Sequence, residues 1–128
     1  MVYVFGVFLI LHGLIHAGYF APALPVPPQA KTKPPEFSFE HSWLIKYLGI
    51  HAGTVKFTGT GAVVVALVGF IAAGLGVMGV PWLANYWQTV AIVSAAASTL
   101  VLLASWNTWF IAALAINIAI AAYAFLAQ

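Results

Sequence analysis

The sequence has no cysteine, no arginine and no aspartate, and very little charge of either sign. Without cysteine there is no disulfide, zinc–thiolate site, iron–sulfur cluster or thiol nucleophile. Without arginine the forked donor that grips guanine and phosphate is missing, so the balance of four Lys against two Glu carries no nucleic-acid signal. Charged residues are 5% of the 128 positions, against ~25% in an ordinary globular domain. A water-facing surface needs far more, which excludes a soluble fold. The six charges (Lys31, Lys33, Glu36, Glu40, Lys46 and Lys56) all lie between positions 31 and 56. What is present instead is apolar: 64% hydrophobic residues and a mean hydropathy of +1.06. These values point to an integral, multi-pass protein of the cell membrane.

A spanning helix needs about 20 mainly apolar residues. The breaks in the pattern predict spans near 1–20, 57–78, 82–104 and 108–127, in one domain covering 1–128. Gly79-Val80-Pro81 closes the second span, and Pro81 suits the first turn of the third, where its missing N–H costs nothing. Ser105-Trp106-Asn107-Thr108 closes the third, with Asn107 or Thr108 able to cap the fourth. The first span lacks the Lys or Arg that normally precedes the apolar run of a cleaved signal peptide, so it is expected to be retained. The expected fold is all-α, an antiparallel up-down bundle of four transmembrane helices whose short connections make the last three sequential neighbours.

The only long connection is 21–56. Pro22 to Pro35 holds six of the seven prolines and reads as an extended, polyproline-like strap. Glu40 to Gly53 carries Trp43, Leu44, Tyr47 and Leu48 at helical spacing. That stretch is either a short helix in the headgroup layer or an N-terminal extension of the second span. All four Lys lie in this connection, so the positive-inside rule places it in the cytoplasm and both termini outside.

Lipid tails are as apolar as leucine, so close packing through small residues must hold such helices together. The second span offers Ala62, Ala66, Gly69, Ala73 and Gly76 at a 4-3-4-3 spacing, a heptad-like seam of small knobs. The third offers Ala91, Ala95, Ser98, Leu102 and Ser105. The fourth offers Ala112, Ala115, Ala119 and Ala122, and the first Gly6 and Gly13. Trp43, Trp82, Trp87, Trp106 and Trp109 read as anchors at the membrane boundaries.

Polar groups at membrane depth are expensive, and each needs a partner or a purpose. His12 and His16 lie four residues apart, on one helix face and ~6 Å apart along the axis. Counted from the cytoplasmic side, His12, Ser98 and Asn117 all fall roughly 10–14 Å deep at 1.5 Å per residue. Equal depth on three helices predicts a buried hydrogen-bond network of His12, Ser98 and Asn117, with His16 shallower and reaching the headgroups. The alternative is a cofactor site: His12 and His16 have the spacing of paired metal or haem ligands. No carboxylate exists in any span to complete a zinc or di-iron shell. A second copy, or His41 and His51 folding back, would have to supply the remaining ligands.

Enzymatic chemistry has little to stand on, since both acids lie in the connection and no Ser-His-acid triad can form within the bundle. Transport lacks an intramembrane carboxylate, broken helices and a ring of charges.

With those residues in view, the chain resembles a group of small, functionally uncharacterised prokaryotic four-helix integral membrane proteins. The resemblance rests on His12-Gly13-Leu14-Ile15-His16-Ala17-Gly18-Tyr19, Trp82 and Trp87, Ser98, Trp106, and Ile116-Asn117-Ile118. It covers spans one, three and four but not the proline-rich connection, and Asn107-Thr108 stands where an acid-and-lysine pair is expected. It implies a fold and a membrane location and brings no activity. The expected role is therefore association, as a homo-oligomer or an accessory subunit of a larger membrane complex, with the lipid bilayer and other membrane subunits as partners and no cofactor. Two alternatives stay open: a haem-, metal- or pigment-binding protein using His12 and His16, and a carrier of a lipid or small apolar solute.

Overall fold

The computed structural model describes residues 2–20, 38–108 and 110–127. The strap from Pro22 to Pro35 and the anchor residue Trp109 lie outside the described residues. Among the described residues the chain is helical, with no strand. Helix α1 spans Val2–Ile15 and tightens into a 3-10 segment at His16–Phe20. Helices α2 (Trp43–Leu48), α3 (Ala52–Val77), α4 (Trp87–Ala104) and α5 (Phe110–Leu126) follow. Three segments (2–20, 52–77 and 87–104) are long and apolar enough to cross a membrane, and α5 is a shorter apolar helix.

Local chemistry explains where the helices stop and start. Ser42 caps α2 by accepting the Leu44 N–H, and Gly49, at φ 64°, ends it in the left-handed conformation that a Cβ disfavours. His51 then caps α3 by accepting the Gly53 N–H at 3.2 Å. The 40–53 stretch is thus a separate short helix rather than a continuous extension of the second span. Even so, α3 begins five residues before the expected position 57. At the opposite end α4 begins at Trp87, not at position 82. Residues 81–86 form successive turns, in which the Val80 carbonyl accepts from both Leu83 and Ala84. The turn folds over the end of α3, where the Leu83 carbonyl and Trp87 Cβ come so near Gly76 that a side chain there would collide with them.

Packing centres on α3, which lies against both α1 and α4, while α5 packs on α4. Small residues make the contacts close. Gly6 of α1 meets Gly74 and Met78, and Gly13 meets Leu67 and Phe70. On the other side of α3, Ser94 of α4 occupies the space that Gly69 leaves. The core comprises Leu9, Ala66, Phe70, Ala73, Ala91, Ala95, Ile120 and Ala124, with a second cluster of Phe39, Val55, Val63 and Val101 nearer the connection. All five residues of the α4 seam are buried, as are Ala66, Ala73 and Gly76 of the α3 seam.

The α5 seam is different. Ala112, Ala115, Ala119 and Ala122 are all exposed, and the inward face is Phe110, Asn117, Ile120 and Ala124. A primary amide on an otherwise apolar helix needs hydrogen-bond partners, and turning Asn117 inward turns the alanines out.

Candidate functional site

Buried polar residues of the first apolar segment, α4 and α5 form one connected set of hydrogen bonds, from which Ser94, bonded to the Val90 carbonyl, stands apart. Its directions follow from elementary donor and acceptor chemistry. A carbonyl only accepts, so the 3.2 Å contact between His16 Nδ1 and the His12 carbonyl requires Nδ1–H on His16. With the ring neutral, His16 Nε2 must accept, and it receives the Ser98 hydroxyl hydrogen at 2.8 Å. Ser98 Oγ in turn accepts from Asn117 Nδ2 at 2.8 Å, and the same amide nitrogen reaches Thr99 Oγ1 at 3.4 Å. Asn117 Oδ1 then accepts from His12 Nε2–H at 2.9 Å. The circuit runs from the His12 ring through Asn117, Ser98 and His16 back to the His12 backbone. Every donor points the same way round, so each bond polarises the next.

The structure thus brings His12, Ser98 and Asn117 together and adds Thr99. His16 differs from its expected place at the headgroups: it is 5% exposed and sits inside the circuit. The reason is geometric, since a residue four positions from an inward His12 shares its face. Phe70 seals the set from the α3 side, its ring centroid 4.9 Å from that of His12 and 6.1 Å from that of His16. No buried side-chain nitrogen or oxygen among the described residues lacks a partner.

A second polar layer lies toward the connection. Tyr19 and Ser105 share a 2.6 Å hydroxyl contact, Ser42 Oγ donates to the Ala104 carbonyl, and Trp43 Nε1 donates to the Leu103 carbonyl. The last carbonyls of a helix have no partner within it, and here the short connection helix supplies them. The role of Ser42 is not legible in the sequence, because a serine outside the spans gives no signal of which helix end it will meet. Trp43, expected as an anchor, is tied to α4 as well as half exposed. Trp82 and Trp106 are exposed as anchors would be, whereas Trp87 packs edge-on against Phe5 at 6.2 Å.

The chemistry open to the circuit is narrow. Ser98 donating to His16, itself held by a carbonyl, has the connectivity of a nucleophile and its base. Ser98 is nevertheless 1% exposed and already accepts from Asn117, leaving no room for a substrate carbonyl. Both ring nitrogens of His16 and one of His12 are engaged in hydrogen bonds. A metal or haem would have to displace those bonds. Among the described residues no group of three or more His, Asp or Glu could hold a metal ion.

A groove of about 290 Å³ lies elsewhere, between the 3-10 segment, residues 38–40 and the first half of α3. Tyr19, Phe20, Phe39 and Val63 give it apolar walls, and Ser38, Glu40, Lys56 and Thr60 give it polar ones. Comparison with protein-family models, with curated proteins and with solved structures finds no match to this chain.

Proposed function

We propose that this chain is a multi-pass membrane protein working through association, as a homo-oligomer or an accessory subunit of a larger membrane complex, without catalysis of its own. In this reading all four long helices cross the bilayer as an antiparallel up-down bundle, the 17 residues of α5 sufficing at the short end of the spanning range. The connection lies in the cytoplasm and both termini outside.

One observation carries the reading: the small-residue row of α5 faces away from its own bundle. Within a membrane, small residues let two backbones approach, and that approach is what holds helices together. The same face runs Ile111, Ala115, Ile118, Ala122 and Phe125, all exposed, at a 4-3-4-3 spacing. Large and small side chains alternate along it, so it offers both knobs and holes to a neighbouring helix. The polar residues inside the bundle satisfy one another and leave the outer surface to packing.

The test is gentle solubilisation from membranes at native expression level, followed by measurement of the mass of the complex. A mass above the 13.6 kDa of one chain is expected, from further copies or from a stoichiometric second polypeptide. A single chain with no partner would contradict the proposal. An absorption spectrum and metal analysis of the same sample should show no stoichiometric chromophore or metal; one lost in His12→Ala would replace association with ligand binding.

A further inference from the structure

The groove beside the 3-10 segment has the chemistry of a headgroup site, and we propose that it binds one phospholipid with a zwitterionic, primary-amine headgroup. Its position comes first. The groove is built from the end of the first apolar segment, the residues just before α2 and the start of α3. Every charge of the sequence falls between positions 31 and 56, so this is the end of the bundle that meets the polar boundary of a bilayer.

Its walls then define the ligand. Phe39, 7% exposed, lies over Gly59, where any side chain would collide with its ring. Tyr19 stacks on Phe39 with ring centroids 5.3 Å apart, and Val63 is fully buried. This makes a fixed apolar floor. At the rim Lys56 Nζ and Glu40 Oε1 stand 3.9 Å apart, and both side chains are 69% exposed. So long a contact between exposed side chains is a weak one, and both charges remain able to engage a ligand. The Ser38 hydroxyl accepts the Glu40 N–H at 3.2 Å and can still donate its own hydrogen. Thr60 adds a second hydroxyl.

A phosphate would meet Lys56 and the hydroxyls, while a primary ammonium on the same molecule would donate to Glu40. A headgroup bearing only negative charge would face the Glu40 carboxylate. A quaternary ammonium has no N–H to give it, and charge-assisted hydrogen bonds of this kind are the strong ones. The volume, near the lower end of ~300–1,000 Å³ for small-molecule sites, fits a headgroup rather than a whole lipid. Phe20, 54% exposed at the edge, offers an apolar way out for the acyl chains. The inference rests on the membrane placement of the chain and is independent of its association.

The experiment titrates the full chain in detergent with phosphatidylethanolamine, phosphatidylcholine, phosphatidylglycerol and water-soluble glycerophosphoethanolamine, counting bound lipid by native mass spectrometry. The expected result is one saturable phosphatidylethanolamine per chain, held about ten-fold more tightly than the other two lipids. Glu40→Gln should reduce it to the phosphatidylcholine level, and Lys56→Gln should weaken all three lipids. Both side chains are exposed, so circular dichroism should report unchanged helix in either variant. Equal affinity for all headgroups, or for the natural chain and both variants, would overturn the proposal. Glycerophosphoethanolamine binding as tightly as the lipid would overturn its membrane source. Insertion of the chain into membranes is read separately by carbonate extraction, so a failure there is distinguishable from a failure of the site.

Discussion

At the residue scale, Asn117 is the hub of the buried circuit. Its amide carries bonds to His12, Ser98 and Thr99 from a helix that packs mainly on α4. Asn117→Leu leaves the His12 Nε2–H without its acceptor and Ser98 without its donor. Buried groups left unpaired cost about 1–3 kcal/mol, whereas interhelical hydrogen bonds in membranes average ~0.6 and reach ~1.7 kcal/mol. Asn117→Leu should therefore destabilise more than His12→Leu, and the double variant should cost less than the sum of the two. Equilibrium unfolding in mixed micelles measures all three, and strict additivity would show that the pair is not coupled. The meeting of His12 and Asn117 is legible in the sequence because both can be counted from one end of the bundle. The same count puts His16 at the boundary only because it ends the packed protein at position 20. The Tyr19–Ser105 and Ser42–Ala104 contacts carry the packed structure beyond His16, and no sequence spacing encodes a contact between a connection and a distant helix end.

At the scale of the elements, glycine has two meanings here, and substitutions should separate them. A Cβ on Gly74 would stand 2.5 Å from the Gly6 carbonyl oxygen and 2.7 Å from Ile10 Cγ1. Backbone cannot give way as a side chain can, so Gly74→Val should push α1 off α3 and cost about 1–3 kcal/mol, the usual scale of overpacking. Gly61 has nothing within 4 Å, and Gly61→Ala should stabilise α3 by roughly 0.5–1 kcal/mol through helix propensity alone. Thermal unfolding in one detergent compares the two; equal effects would contradict the close α1–α3 contact. The α4 seam is readable from spacing because its small residues share a face with its buried serines, and the α3 seam because residues 62–76 include no polar side chain to compete for the interior. The α5 seam could not. Ala115 and Asn117 are two residues apart, hence ~200° around the helix, so they could never both face the interior. The sequence held this conflict, and the amide decides it because an unsatisfied polar group costs more in lipid than an alanine exposed there. The start of α4 differs from the sequence expectation for another reason: Pro81 is compatible with a helix start, but residues 81–86 form successive turns instead.

At the scale of the whole molecule, the proposed four crossings would put both termini on one side of the membrane and the charged connection on the other. The chain has no cysteine, so single-cysteine variants report position without background. Ala127→Cys should react with an impermeant maleimide on intact cells, and Lys46→Cys only after permeabilisation. Labelling of both from one side would contradict the four-span topology.

A single-cysteine crosslinking scan in native membranes shows whether the protein meets its partner along the outward face of α5. With the natural chain as background, cysteines at Ala115, Ala119 and Ala122 should give efficient crosslinks to a second copy or to one partner. Val64→Cys, 44% exposed on α3, should give few. A flat profile around α5, or one that peaks at Val64 instead, would contradict the account.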